Sequence, residues 1–171
     1  MLIRRVRLGL LIVTLVVLQT AVFPHLRVFG AIPDLCLVAT VAMAYEEGPQ
    51  AGALFGFISG LVIDLFLASP LGLSALANAC TGYGVGVFQG GLVRESRLVP
   101  FILGGIGGLV GGTIFVVVGG IAGESGYLSL TSLRIVIVAA IYDALVAPLI
   151  FPFVRWANHN PDYGYSSRRR S

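Results

Sequence analysis

Residues 98–122 read LVPFILGGIGGLVGGTIFVVVGGIA, a run without a single charged side chain. A helix rises ~1.5 Å per residue, so this run covers the ~30 Å hydrocarbon core of a bilayer with residues to spare. Outward from it, comparable apolar runs fall at 7–24, 30–46, 50–68, 71–93 and 131–154. The whole chain follows the same pattern, with 57% apolar and only 11% charged residues and a mean hydropathy of +0.94. These values lie outside the range of ordinary soluble domains. The expected fold is therefore an all-α membrane protein, a compact bundle of six transmembrane helices.

The second run is the weakest, because Arg27 precedes it, Pro33 and Asp34 lie near its start, and Glu46 and Glu47 end it. Arginine placement tests it. With six spans and an inside N-terminus, Arg4, Arg5, Arg7, Arg94, Arg97, Arg155, Arg168, Arg169 and Arg170 fall inside, leaving Arg27 and Arg134 outside. Deleting the second span would put only Arg4, Arg5, Arg7 and Arg134 inside. The positive-inside rule favours six spans, with both termini in the cytoplasm. Arg4, Arg5 and Arg7 before an apolar run also suggest a secretory signal, but Leu18, Gln19 and Thr20 stand where a cleavage site needs small residues. The segment reads as an uncleaved first span.

Links such as Glu46-Glu47-Gly48-Pro49, Ala68-Ser69-Pro70 and Arg94-Glu95-Ser96-Arg97 leave no room for a soluble domain. Consecutive helices are expected to be antiparallel neighbours. The chain divides into a transmembrane domain, 1–155, and a flexible cytoplasmic tail, 156–171, whose Arg168–Arg170 suits contact with anionic lipid.

Glycine carries the most information within the spans. Gly52, Gly56 and Gly60, then Gly82, Gly86 and Gly90, then Gly104, Gly108 and Gly112 recur at every fourth position. Each row forms an inclined ridge along which helix backbones approach closely, either in a tight interface with a partner or, the favoured reading, inside the bundle itself. Among polar residues, a charge in hydrocarbon costs ~2.5–3.5 kcal/mol on insertion scales and normally faces protein, water or a counter-charge. Asp64, near the outer end of the third span, and Asp143, nearer the midplane with Ala139, Ala140 and Ala147 on its side, are such groups. Asn78, Ser74 and Tyr142 are further candidates, and Arg134 begins the sixth span at a depth from which it could pair with Asp64. For Asp64 a structural role is favoured; for Asp143 structural and functional roles are balanced.

Other chemistries lack their residues. His25 and His159 fall on opposite faces in this topology, there is no HExxH or GxSxG, and no acidic cluster has metal-binding spacing. Cys36 and Cys80 lie in apolar runs without CxxC spacing. No catalytic site, metal or cofactor is expected. Nucleic-acid binding needs a continuous solvent-accessible basic face, whereas hydrocarbon-like runs separate these arginine clusters.

Pro33-Asp34-Leu35, Glu47-Gly48-Pro49 and the block GALFGFISGLVIDLFLASPLGLSAL from Gly52 to Leu76 resemble the MreD family of rod-shape-determining membrane proteins. The distinctive part is Gly60-Leu61, Asp64-Leu65-Phe66 and Pro70-Leu71-Gly72-Leu73. Tyr142-Asp143 through Pro148 and Pro152 is similar to the family's closing helix. The resemblance covers essentially the whole chain. It implies a non-enzymatic component of the cell-elongation machinery that scaffolds the bitopic protein MreC and, through it, MreB and the peptidoglycan synthases. The arginine-only basic set, the glycine-rich fifth span and the Arg168–Arg170 tail depart from the family pattern. The rival reading is the substrate-binding membrane subunit of a vitamin transporter. That would require polar groups converging on an enclosed cavity, which the spans supply sparsely.

Overall fold

The computed structural model describes residues 2–26, 30–66, 70–89, 98–123 and 129–158. Six α-helices follow one another: α1 Leu2–Val17, α2 Leu35–Glu47, α3 Pro49–Asp64, α4 Leu73–Phe88, α5 Val99–Ile121 and α6 Leu130–Asn158. A π-helical turn, Leu18–Val22, and a 3-10 turn, Phe23–Leu26, continue α1. Ile3–Val22, α5 and α6 are long and apolar enough to cross a bilayer, while α3 and α4 are apolar but have only 16 residues each. The chain is a multi-pass membrane protein. Its exterior agrees with a lipid solvent, since Leu10, Leu54, Leu149 and Phe153 are each more than half exposed.

The run expected to span at 30–46 is shorter as a helix than the sequence suggests. Residues 30–34 are not helical, and α2 has 13 residues, a length of ~20 Å. The cause is local: Pro33 precedes Asp34, which caps the helix by accepting from Leu37 N at 3.0 Å. What α2 lacks in length it makes up in burial. Every residue from Leu35 to Tyr45 is buried, and α2 packs against all five other helices, so it forms the axis of the bundle.

Tight turns fold neighbours back on one another. Gly48, at φ 97°, is the single residue between α2 and α3, and Pro49 opens α3 with a preset φ. Gly72, at φ 94°, precedes α4. Both lie in the left-handed region that glycine occupies without a Cβ penalty. Gly52 meets Ala44 and Gly56 meets Thr40, which sets α3 antiparallel to α2. α6 runs to Asn158 through Pro148 and Pro152, and therefore extends three residues past the boundary expected at 155. Residues 159–171 of the expected tail lie outside the described residues.

One end of the bundle gathers the polar residues of three helices. Arg155 Nη2 pairs with Glu46 Oε1 at 2.6 Å, Arg4 pairs with Glu47, and Asn158 bridges them by accepting from Arg4 Nε at 2.8 Å and donating to Glu47 Oε1 at 2.8 Å. Arg7 lies 5.2 Å over the Trp156 ring. These contacts put the start of α1 and the ends of α2 and α6 on one face. Exposed pairs of this kind contribute ~0–1 kcal/mol each, so they mark orientation more than they stabilise.

Candidate functional site: buried carboxyl groups and glycine-packed helix faces

The start of α2 leaves backbone N–H groups that no earlier turn of the helix accepts. Side chains from two other segments take them. Asp143, from the middle of α6, accepts from Asp34 N at 2.7 Å, and Gln19 accepts from Cys36 N at 3.2 Å while donating to Asp34 Oδ1 at 3.3 Å. Gln19 is turned inward by the π-helical turn, a distortion that often accompanies a special site. Asp34, Asp143 and Gln19 thus join α1, α2 and α6 at a single cluster in which Gln19 and Asp143 are buried and Asp34 is partly so. Sequence reasoning singled out Asp143 but missed Gln19 and Asp34. The N-cap pattern Pro33-Asp34-Leu35 was the available signal for the latter.

Asp64 does the corresponding work for α4. It is 1% exposed and accepts from Gly72 N at 2.8 Å, Ser74 N at 3.2 Å and Ala75 N at 3.3 Å. The sequence offered capping of the turn or pairing with Arg134; the three N–H groups give the capping arrangement, directed at the start of α4 and not at Ser69, which lies outside the described residues. Arg134 stands exposed near the start of α6. Since asparagine keeps one acceptor oxygen and leucine none, Asp64→Asn is expected to lower the melting temperature in detergent less than Asp64→Leu. The leucine variant should lose about 1–3 kcal/mol, the cost of buried unsatisfied donors. Equal losses in the two variants would show that the charge, and not acceptance, matters.

The glycine rows lie between helices. A Cβ on Gly56 would stand 2.6 Å from the Asn78 carbonyl oxygen, one on Gly60 2.5 Å from Ala75 Cα, and one on Gly82 2.6 Å from the Gly52 oxygen; Gly52 and Gly86 are equally closed, by Ala44 and Pro49. The rows of α3 and α4 therefore face each other. On α5, Gly104 meets Ala147 and Asp143, Gly108 meets Asp143 and Ala140, and Gly112 meets Val136. A second α5 row was not anticipated: Gly107 abuts Val41 and Gly111 abuts Leu37, both on α2. Gly90 lies outside the described residues.

Between α4, α5, α6 and the start of α2 lies a cavity of about 320 Å³. Its wall is largely apolar, with Asp34, Asp143, Asn78, Ser74 and Gln19 among the lining residues. Asn78 is 2% exposed, and its Nδ2 has no hydrogen-bond partner among the described residues. Polar groups scattered over 125 residues of sequence therefore converge on one space, which the sequence alone did not suggest.

Compared with known proteins, residues 2–157 match a family model described as rod shape-determining protein MreD. No curated protein and no solved structure matches the chain.

Proposed function

The chain belongs to the MreD family of rod shape-determining proteins, and from that membership we propose that it is a non-enzymatic membrane scaffold of the bacterial elongation machinery. On this reading it holds an MreC-like bitopic protein in the inner membrane and, through it, MreB and the peptidoglycan synthases. The observation that carries the reading is the extent of the family match, which takes in all six helices. Scaffolding needs a stable shape and no turnover. A bundle axis buried on all sides and backbones packed at glycine contacts suit that demand. The partner's single helix would dock within the membrane, because short links leave little surface for a standard-sized interface outside it. Depletion in a rod-shaped host is expected to give widened or rounded cells, seen by microscopy. Cells that keep their width after depletion would contradict the role.

In the same reading, all six helices cross the membrane and both termini are cytoplasmic. The shared face of Arg4, Glu46, Glu47 and Arg155 supports placing that end inside, where arginine is enriched. The prediction is tested with fusions. A periplasm-active reporter should be silent after Gly48 and at the C-terminus, and activity at either position would overturn the topology.

A further inference from the structure

We propose that the cavity between α4, α5 and α6 binds a primary ammonium group carried on a small apolar body, with the ammonium held by Asp34 and Asp143. The inference is independent of the scaffold reading, which stands or falls by cell shape and partners.

Three observations carry it. First, the backbone N–H of Asp34 donates to Asp143 Oδ1 at 2.7 Å, which brings the two aspartates together, and both line the cavity. Second, neither has a cationic partner among the described residues. The ion pairs there use Glu46 and Glu47, and the bonds of Asp34 and Asp143 are made to backbone N–H groups and the Gln19 amide. A carboxylate in such surroundings is costly without a counter-charge, so a cation entering the cavity would stabilise the charged form of the pair. Third, the Asn78 amide lines the same space with its Nδ2 unpartnered among the described residues, at 2% exposure. A buried donor left without a partner in a folded protein calls for an explanation, and an acceptor on a ligand supplies one.

The cavity also sets the size and the remaining chemistry. About 320 Å³ lies at the lower end of small-molecule sites, which combine apolar walls with a few placed polar groups. Phe115 and Val116 supply apolar wall here. Gly108 leaves room for the Asp143 carboxyl, since a Cβ at that position would stand 2.5 Å from Oδ2. The fitting ligand has an ammonium for the two carboxyl groups, an oxygen acceptor for Asn78 and an apolar remainder. A free amino alcohol meets this description, and so does the ethanolamine headgroup of a lipid.

The test uses the full chain in mild detergent, with 2-amino-1-phenylethanol as probe and 1-phenylethanol as its uncharged counterpart. The amine is expected to raise the melting temperature saturably, and the alcohol not to. Asp143→Asn, which keeps an acceptor for Asp34 N, should weaken the amine at least about tenfold, the effect of losing a charge-assisted bond. Ala139→Leu, which narrows the cavity while leaving both carboxyl groups in the chain, should weaken it as well. In nanodiscs, stabilisation by phosphatidylethanolamine over phosphatidylglycerol that Asp143→Asn removes would identify a lipid headgroup as the source. Stabilisation by the free amine alone would identify a soluble ligand. Equal effects of amine and alcohol, undiminished amine binding in Asp143→Asn, or no saturable effect of either amine source would overturn the proposal.

Discussion

Replacing Gly60 with leucine is expected to prevent assembly of the bundle, while the same replacement at Gly84 leaves the protein near its normal abundance. A Cβ on Gly60 would stand 2.5 Å from Ala75 Cα and 2.6 Å from both Ala75 N and the Ser74 oxygen, all of them backbone atoms that no rotamer change can move. Relief requires α3 and α4 to separate, and Asp64, four residues on, would lose its hold on Gly72, Ser74 and Ala75. Overpacking a close-packed core costs about 1–3 kcal/mol even where side chains can yield, and native proteins have only ~5–15 kcal/mol in total. Gly84 lies on α4 between Gly82 and Gly86, but a Cβ there meets nothing within 4 Å among the described residues. The comparison therefore isolates backbone proximity from helix propensity. Quantifying both variants in membranes and by size-exclusion chromatography after mild solubilisation checks it. Normal levels and a normal profile for Gly60→Leu would remove the packing argument.

The second large effect is expected at Asp143. Leucine there removes the acceptor of Asp34 N and sets a branched side chain against Gly104 and Gly108. An unsatisfied buried donor costs about 1–3 kcal/mol, to which the overpacking against α5 adds. Asparagine keeps an oxygen in reach of Asp34 N and should retain most of the stability. Thermal unfolding in detergent should rank wild type above Asp143→Asn and Asp143→Asn well above Asp143→Leu. A leucine variant as stable as the asparagine one would show that the bond from Asp34 N does not hold α2 to α6.

Much of this architecture was legible in the sequence, for reasons that particular residues make clear. Hydropathy placed all six helices in order, because an apolar run in a membrane has few alternatives to a helix. Four-residue spacing picked out Gly52, Gly56, Gly60 and their counterparts. Spacing of one kind hid the second row, however. Gly107 and Gly111 interleave with Gly104, Gly108 and Gly112, and two faces became visible only once α5 was seen wedged between α6 and α2. The length of α2 was overestimated because hydropathy counts residues 30–34 as part of the run, whereas the Asp34 cap begins the helix after them. Gln19 escaped notice because its inward direction depends on the π-helical turn at Leu18–Val22, which helical periodicity does not anticipate. The carboxyl cluster could not be read at all from local pattern. Asp34 and Asp143 are 109 positions apart, and their meeting depends on how α6 packs against the start of α2.

The central claim is that the bundle serves as a scaffold whose partners are wall-synthesis proteins, and partner identity tests it most directly. The measurement is affinity purification of the full chain from its own membranes in mild detergent, with the associated proteins identified by mass spectrometry. The account predicts recovery of an MreC-like bitopic protein, with peptidoglycan synthases in lesser amount. Recovery of a transporter ATPase in stoichiometric amount, together with a tightly bound small molecule and without any wall-synthesis protein, would contradict it and establish the transporter-subunit reading in its place.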